Sequence, residues 1–458
     1  MITSRVSTDA SYVQPPARVL FSGFITASIA AYLLLSAILA IFFPAFPILI
    51  HLLVIAALYA AWRWPGRLIA IILLLAPFLP LPILALKAAK IEWAVVFSSL
   101  KELGMLIAVA VMAWRVRLRL GFLDFVILTL IGWALLVSVM FPNPSTLIGL
   151  KDDFAFVISF YAGRLILLNK KWIKSGLWVA AVVATLGLIE FFWVGPVPRM
   201  LLTGLSDPAE LANSYTATGF AGFRAASTLG GPLEFGAFCT ITLLCFVTFY
   251  RELPRKYFIP ATLLMGGLVA SITRMAWLAF TVCLLVIAIR TGQKRRLLIM
   301  AGIGATAALL LIVPYLGLED FIAATQQRAD PSAEGHTADL VERYSFVLSH
   351  PLGMGAGMVG PRALEREPKA QHVESAYLQI GMGYGWAGIL LFSTFMVNVL
   401  VKLWKDRSNF GVAAFLVALA MSIMYFFSPI HESFEVNSWA WVLIGFGVQN
   451  SLSKAEMR

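Results

Sequence analysis

Long apolar stretches separated by short charged turns run almost the whole length of the chain. A bilayer core of roughly 30 Å takes about 20 apolar residues as a helix. Segments of that kind fall at 20–42, 45–62, 68–86, 95–114, 121–141, 154–169, 173–193, 233–250, 257–271, 274–290, 297–316, 374–401, 409–428 and 437–450, fourteen in all. Lys101-Glu102 interrupts the fourth, and the sixth, ninth and last are short. The pattern predicts an all-α bundle of about 12–14 transmembrane spans. Phe258–Ile289 is almost continuously apolar around Arg274. As one helix it would be roughly 50 Å long, well beyond the hydrocarbon core. Two short spans turning at Ser271–Arg274 fit better, with Arg274 at the tip of a tight hairpin.

Composition supports a lipid-solvated chain. Of its 458 residues 60% are apolar and 13% charged, against about 25% charged in soluble domains. Cys239, Cys245 and Cys283 lie in apolar runs without zinc spacing and read as core residues. The first apolar run, Val19–Phe43, exceeds the roughly 7–15 residues of a signal h-region and reads as a retained span.

The net charge of +11 is distributed by side. Alternate loops hold 22 of the 35 basic residues, with only Asp9, Glu252, Asp406 and Glu456 against them. The positive-inside rule therefore places both termini in the cytoplasm. The excess charge is orientation information and attraction to anionic lipid, not a nucleic-acid surface.

Two long segments fall on the opposite, periplasmic side. One, 194–233, is rich in proline and glycine; the other, 317–373, is the most polar part of the chain. Long loops of this kind are commonly functional. The chain thus divides into a bundle over 1–316 that includes the 194–233 loop, the large loop 317–373, and C-terminal spans over 374–458. No repeat at a fixed period is visible.

Few residues offer chemistry. Arg224 follows a glycine-rich turn and suits either a lipid headgroup or an anionic ligand. Arg274 is a costly charge in an apolar hairpin, either functional or paired with Glu190 or Glu234. Arg164, near the cytoplasmic end of the sixth span, reads most simply as snorkelling, and Arg343 as a solvated charge; with Glu234 they complete the candidate substrate contacts. His372 and Glu374, where the large loop enters a span, form a candidate proton-transfer pair. The other histidines lack metal-like spacing. Gly353-Met-Gly-Ala-Gly-Met-Val-Gly360 looks like a phosphate-binding loop but lacks the strand–helix setting, so its expected role is a tight turn. Asp152-Asp153 is expected in a periplasmic loop, as a metal-binding pair or a solvated helix start.

Four segments together resemble the O-antigen ligase and O-antigen polymerase superfamily of bacterial inner membranes. They are Phe223-Arg-Ala-Ala-Ser-Thr-Leu-Gly-Gly-Pro-Leu-Glu-Phe-Gly236, Ser271-Ile-Thr-Arg-Met-Ala-Trp-Leu-Ala, His350-Pro-Leu-Gly-Met-Gly-Ala-Gly, and His372-Val-Glu-Ser-Ala-Tyr-Leu-Gln-Ile-Gly-Met-Gly-Tyr-Gly-Trp-Ala-Gly. Thr273 stands where the family has serine, and Val373 where it has asparagine. The resemblance covers about 220 to 395. It implies a glycosyltransferase-C-like bundle in the inner membrane. It also implies transfer of a glycan from an undecaprenyl-diphosphate carrier to lipid A core or to a second lipid-linked glycan, at the periplasmic face and without a cofactor or metal. Arg224 and Arg274 would stabilise the diphosphate, His372 would be the base, and Glu374 would orient or replace it.

Two other classes compete. A polysaccharide flippase or other transporter needs many spans and cations too, though transporters tend to place their charges near the bilayer midplane. An assembly subunit without chemistry would need no convergent Arg/His set. Ligase and polymerase remain equally open within the enzyme class, as do the sugar and the oligomeric state.

Overall fold

Helices account for nearly all of the computed structural model, which describes residues 47–88, 93–116, 118, 120–195, 223–291 and 331–456. The chain falls into two compact units, Met1–Arg63 and Trp64–Arg458. Within the first, the described part is helix α1 (Pro47–Arg63). The expected spans at 20–42 and 297–316 lie outside the described residues, as does much of the 194–233 segment.

The second unit begins with α2 (Pro65–Leu75) and α3 (Pro80–Ala88), joined through a 3-10 turn at Ala76–Phe78. A single span is expected over 68–86. The chain instead bends by 62°, because Pro77 and Pro80 cannot continue an unbroken ladder of helical hydrogen bonds. Then follow α4 (Trp93–Arg115), α5 (Phe122–Met140), α6 (Thr146–Leu165) and α7 (Lys170–Ile189), which ends in a π-helical turn at Glu190–Val194. Next come α8 (Pro232–Phe249), α9 (Phe258–Ala270) and α10 (Arg274–Thr291). The polar segment supplies α11 (Pro331–Ser349). The chain closes with α12 (Ala376–Lys405), α13 (Asn409–Phe427) and α14 (Phe434–Glu456). Among the described residues five helices are long and apolar enough to cross a membrane, or six if the bent α2–α3 pair is one span. The chain is an integral membrane protein.

Helix α6 starts eight residues before the expected span. Asp152 and Asp153 therefore lie inside a helix and are buried, which corrects their expected place in a solvated loop. The hairpin at Ser271–Arg274 divides α9 from α10 as the length argument requires.

The core is aromatic. Phe156 and Phe160 on α6, Phe395 on α12 and Trp441 on α14 form one fully buried cluster, with Phe395 and Trp441 stacked at 5.4 Å. The Trp441 indole donates to the Tyr425 hydroxyl at 2.9 Å, so its polar atom is not stranded. Helices α6 and α14 cross at Gly163 and Gly445. A Cβ at either would lie 2.0 Å from a carbonyl oxygen of the other helix, and small residues are what allow backbones to approach so closely in a membrane.

The polar segment is not loose. Gly353, Gly355, Gly357 and Gly360 all hold positive φ, which spares the turns the cost a side chain would carry. The amides of Met354 and Gly355 donate to the carbonyls of Met382 and Gly383 at 2.8 and 2.9 Å. The 350–360 stretch is thereby fastened onto α12, whose helix breaks at Gly385 to receive it. The glycine run serves as a tight turn, and the strand–helix setting of a nucleotide loop is absent from this stretch.

A charged vestibule at one end of the bundle

Loops at one end of the second unit surround a cavity of about 1350 Å³. Arg224, Glu234, Arg274, His372 and Glu374 all line it. It is bounded by the starts of α8, α10 and α14, the end of α13, and the early turns of α4 and α6. At the other end of α8, Lys170 pairs with Glu252 at 2.8 Å and Asn409 bonds Glu252, so the vestibule and this polar cluster sit at opposite ends.

The two arginines meet through the hairpin tip. Arg224 Nε donates to the Ser271 carbonyl and its Nη2 to Thr273 Oγ1, each at 3.2 Å. The Thr273 hydroxyl donates in turn to the Pro232 carbonyl at 2.9 Å. The residue preceding Arg274 thus fixes Arg224. Ile272 at the tip has φ 45°, a conformation costly for a β-branched side chain. Ser227, after Arg224, has φ 58°; its amide and that of Ala226 donate to the Glu190 carboxylate at 2.5 and 2.9 Å. Two strained backbones thus present two guanidinium groups to one space. Burial, and then the neighbouring Arg274 charge, pull Arg224 below the ordinary guanidinium pKa, with Glu234 opposing.

His372 is exposed and follows Gln371, whose backbone bridges Val359. Arg343 does not line the cavity. Its Nη1 donates to Gln371 Oε1 at 2.8 Å, bracing the segment that carries His372. Arg164 lies away from the vestibule as well. Its buried guanidinium is paired with Asp124, which also accepts from the Tyr161 hydroxyl at 2.9 Å, and its Nε donates to Gln449 at 3.2 Å. It does not snorkel out of the bundle but joins α5, α6 and α14 inside it.

The opposite wall holds charges of which sequence reasoning singled out Asp152 and Lys101-Glu102, without their partners. Asp152 receives Lys151 at 3.1 Å, Arg362 at 3.3 Å and Arg366 at 3.0 Å. Lys101 pairs with Glu435 at 2.5 Å. Arg362 Nε faces Glu432 at 3.9 Å. Burial works against the charge on Arg362, but Asp152, Glu432, Glu435 and Glu102 outweigh it and raise its pKa. Burial raises the Glu432 carboxyl above its ordinary range, against the pull of Arg362. Behind this wall Asp153 accepts from the Tyr384 hydroxyl at 2.6 Å and from Gln379 at 3.0 Å, and Gln379 also donates to Glu432 at 2.6 Å. Both carboxylates of the Asp152-Asp153 pair are thus engaged by protein donors. The signal for this wall was present in the sequence: Lys101-Glu102 interrupts a span, and Glu432 and Glu435 directly precede one. Charges in such places tend to be functional.

Fold and cavity define a helical membrane protein with a polar vestibule at one end of its bundle. Residues 259–393 match the family model described as O-antigen ligase, which places the chain's resemblance within the O-antigen ligase and polymerase superfamily. The matched stretch runs from α9 into α12 and holds Arg274, His372 and Glu374; Arg224 and Glu234 precede it. The match supports glycan transfer in O-antigen biosynthesis by a membrane glycosyltransferase. No curated protein matches the chain.

Proposed function

We propose that the chain transfers a glycan from an undecaprenyl-diphosphate carrier to an acceptor hydroxyl within the vestibule, on the periplasmic side of the inner membrane. The observation that carries this reading is the convergence of Arg224, Arg274, His372 and Glu374 on one cavity. As the bond between the sugar's anomeric carbon and the diphosphate oxygen breaks, its electron pair stays on the diphosphate. Preorganised guanidinium groups stabilise that developing charge and match phosphate oxygens with paired donors. The acceptor oxygen forms the new bond to the anomeric carbon, and its proton passes to His372, with Glu374 orienting the imidazole or substituting for it. Two arginines supply positive charge that a metal ion brings in other transferases.

The test uses purified full-length protein with an undecaprenyl-diphosphate-linked glycan and an acceptor, read as the transferred or lengthened product. Arg274→Ala, Arg224→Ala and His372→Ala should each lose most of the product. Arg274→Lys should also fail, because a point charge lacks the planar fork. Full transfer by all three alanine variants at normal expression would sink the assignment.

A further inference from the structure

The two walls of the vestibule differ in their charge chemistry. On one, Arg224 and Arg274 stand close enough for like-charge repulsion, with Glu234 beside them acting in the opposite sense. On the other, every lining cation among the described residues already faces a carboxylate: Lys101 faces Glu435, Lys151 and Arg366 face Asp152, and Arg362 faces both Asp152 and Glu432. Among the described residues, two buried polar atoms on this second wall have no hydrogen-bond partner. One is Glu102 Oε2, whose side chain is only 5% exposed and whose nearest cation, Lys151 Nζ, lies 3.7 Å away, beyond hydrogen-bond length. The other is Arg366 Nε. The first can only accept while ionised and the second can only donate. Both residues line the cavity, beside Ser98 and Ser99.

An orphaned acceptor and an orphaned donor on a wall whose cations already face carboxylates suit a ligand that does both and carries no charge. We propose that this wall is the acceptor subsite and that it takes a neutral glycan, bound through its hydroxyls, in preference to a phosphorylated one. The proposal rests on the transfer reading above. A sugar hydroxyl donates to Glu102 Oε2 while a neighbouring one accepts from Arg366 Nε. A phosphate group there would stand against Glu102, Asp152, Glu432 and Glu435 with each nearby cation already engaged, and like charges in a partly desolvated site repel strongly. The chemistry thus favours extension of an uncharged repeat unit over transfer onto a phosphate-bearing lipid core.

Binding to full-length protein in nanodiscs tests this without requiring turnover. The probes are neutral oligosaccharides released from the producing organism's own surface polysaccharide, delipidated core oligosaccharide with its phosphates intact, and farnesyl diphosphate. The neutral oligosaccharide should bind, and the phosphorylated core should bind at least tenfold more weakly. Glu102→Gln should weaken the neutral probe about tenfold, the size expected for one lost hydrogen bond to a charged group. Arg366→Lys, which keeps the charge facing Asp152 but removes Nε, should do the same. Neither should change farnesyl diphosphate binding. Core oligosaccharide binding as tightly as the neutral probe would overturn the proposal, and so would unchanged neutral binding in both variants. Arg274→Ala separates the two readings, since it should lose farnesyl diphosphate and keep the oligosaccharide. If it keeps the diphosphate, the transfer reading fails while the oligosaccharide results stand by themselves.

Discussion

At the scale of single residues, the site depends on side chains that never touch a substrate in the proposed reaction. Thr273 is one. Its hydroxyl links Arg224 to the first residue of α8, and Thr273→Val removes that link while keeping the volume. Arg224 should then lose its fixed geometry, and kcat/KM for glycan transfer should fall about tenfold, the scale of one hydrogen bond to a charged group. Arg164 is the opposite case, since its charge is spent inside the bundle on Asp124. Asp124→Leu alone leaves a buried guanidinium without its partner and should cost about 3–5 kcal/mol, seen as a lower Tm. The double variant Asp124→Leu with Arg164→Met should recover most of that loss, and transfer activity should follow stability in both. Activity lost by the double variant at wild-type Tm would return Arg164 to the site.

At the scale of elements, α6 and α14 carry the vestibule's second wall on a crossing that tolerates no added volume. The Gly163 Cβ position lies 2.0 Å from the Val442 carbonyl oxygen, and that of Gly445 lies equally close to the Phe160 carbonyl oxygen. Gly445→Val must therefore push the helices apart. It should cost about 1–3 kcal/mol or more, the range for overpacked cores, and lower the Tm measured in detergent. Because Asp152 on α6 and Glu435 before the middle of α14 would move apart, the variant should also weaken neutral-oligosaccharide binding more than farnesyl diphosphate binding. The hairpin of α9 and α10 was legible from length alone, as was the helical character of the spans. The start of α6 was not: the Lys151-Asp152-Asp153 run looks like a loop to any hydropathy reading, and it is helical because Arg362, Arg366, Gln379 and Tyr384 reach those carboxylates from other parts of the chain.

At the scale of the whole molecule, orientation is the property to test. The alternation of basic loops implies that the vestibule opens to the periplasm and that the end holding Lys170, Glu252 and Arg407 faces the cytoplasm. Cys239 and Cys283 are buried, so a variant with all three native cysteines replaced by alanine should fold and give a clean background. Glu365→Cys in that background should react with a membrane-impermeant maleimide in cells whose outer membrane alone is permeabilised. Arg407→Cys should react only after the inner membrane is opened. Both residues are exposed at opposite ends of the second unit. The reverse labelling would invert the protein and remove the lipid-linked donor from the reach of the site.

The sequence alone determined the class of protein: hydropathy demands a lipid-solvated helical chain, because backbone polar groups in hydrocarbon must be satisfied within the segment. It also determined the hairpin at Arg274, since helix length against bilayer thickness is a one-dimensional constraint. The motif residues Arg224, Arg274, His372 and Glu374 could be picked out in the same way, as polar groups at the ends of apolar runs. Their convergence on one cavity could not, and neither could the second wall of paired charges built from α4, α6, the 361–366 turn and the start of α14. Which cation meets which carboxylate across hundreds of residues is a property of packing, and a buried ion pair and a solvated charge are written with the same letters.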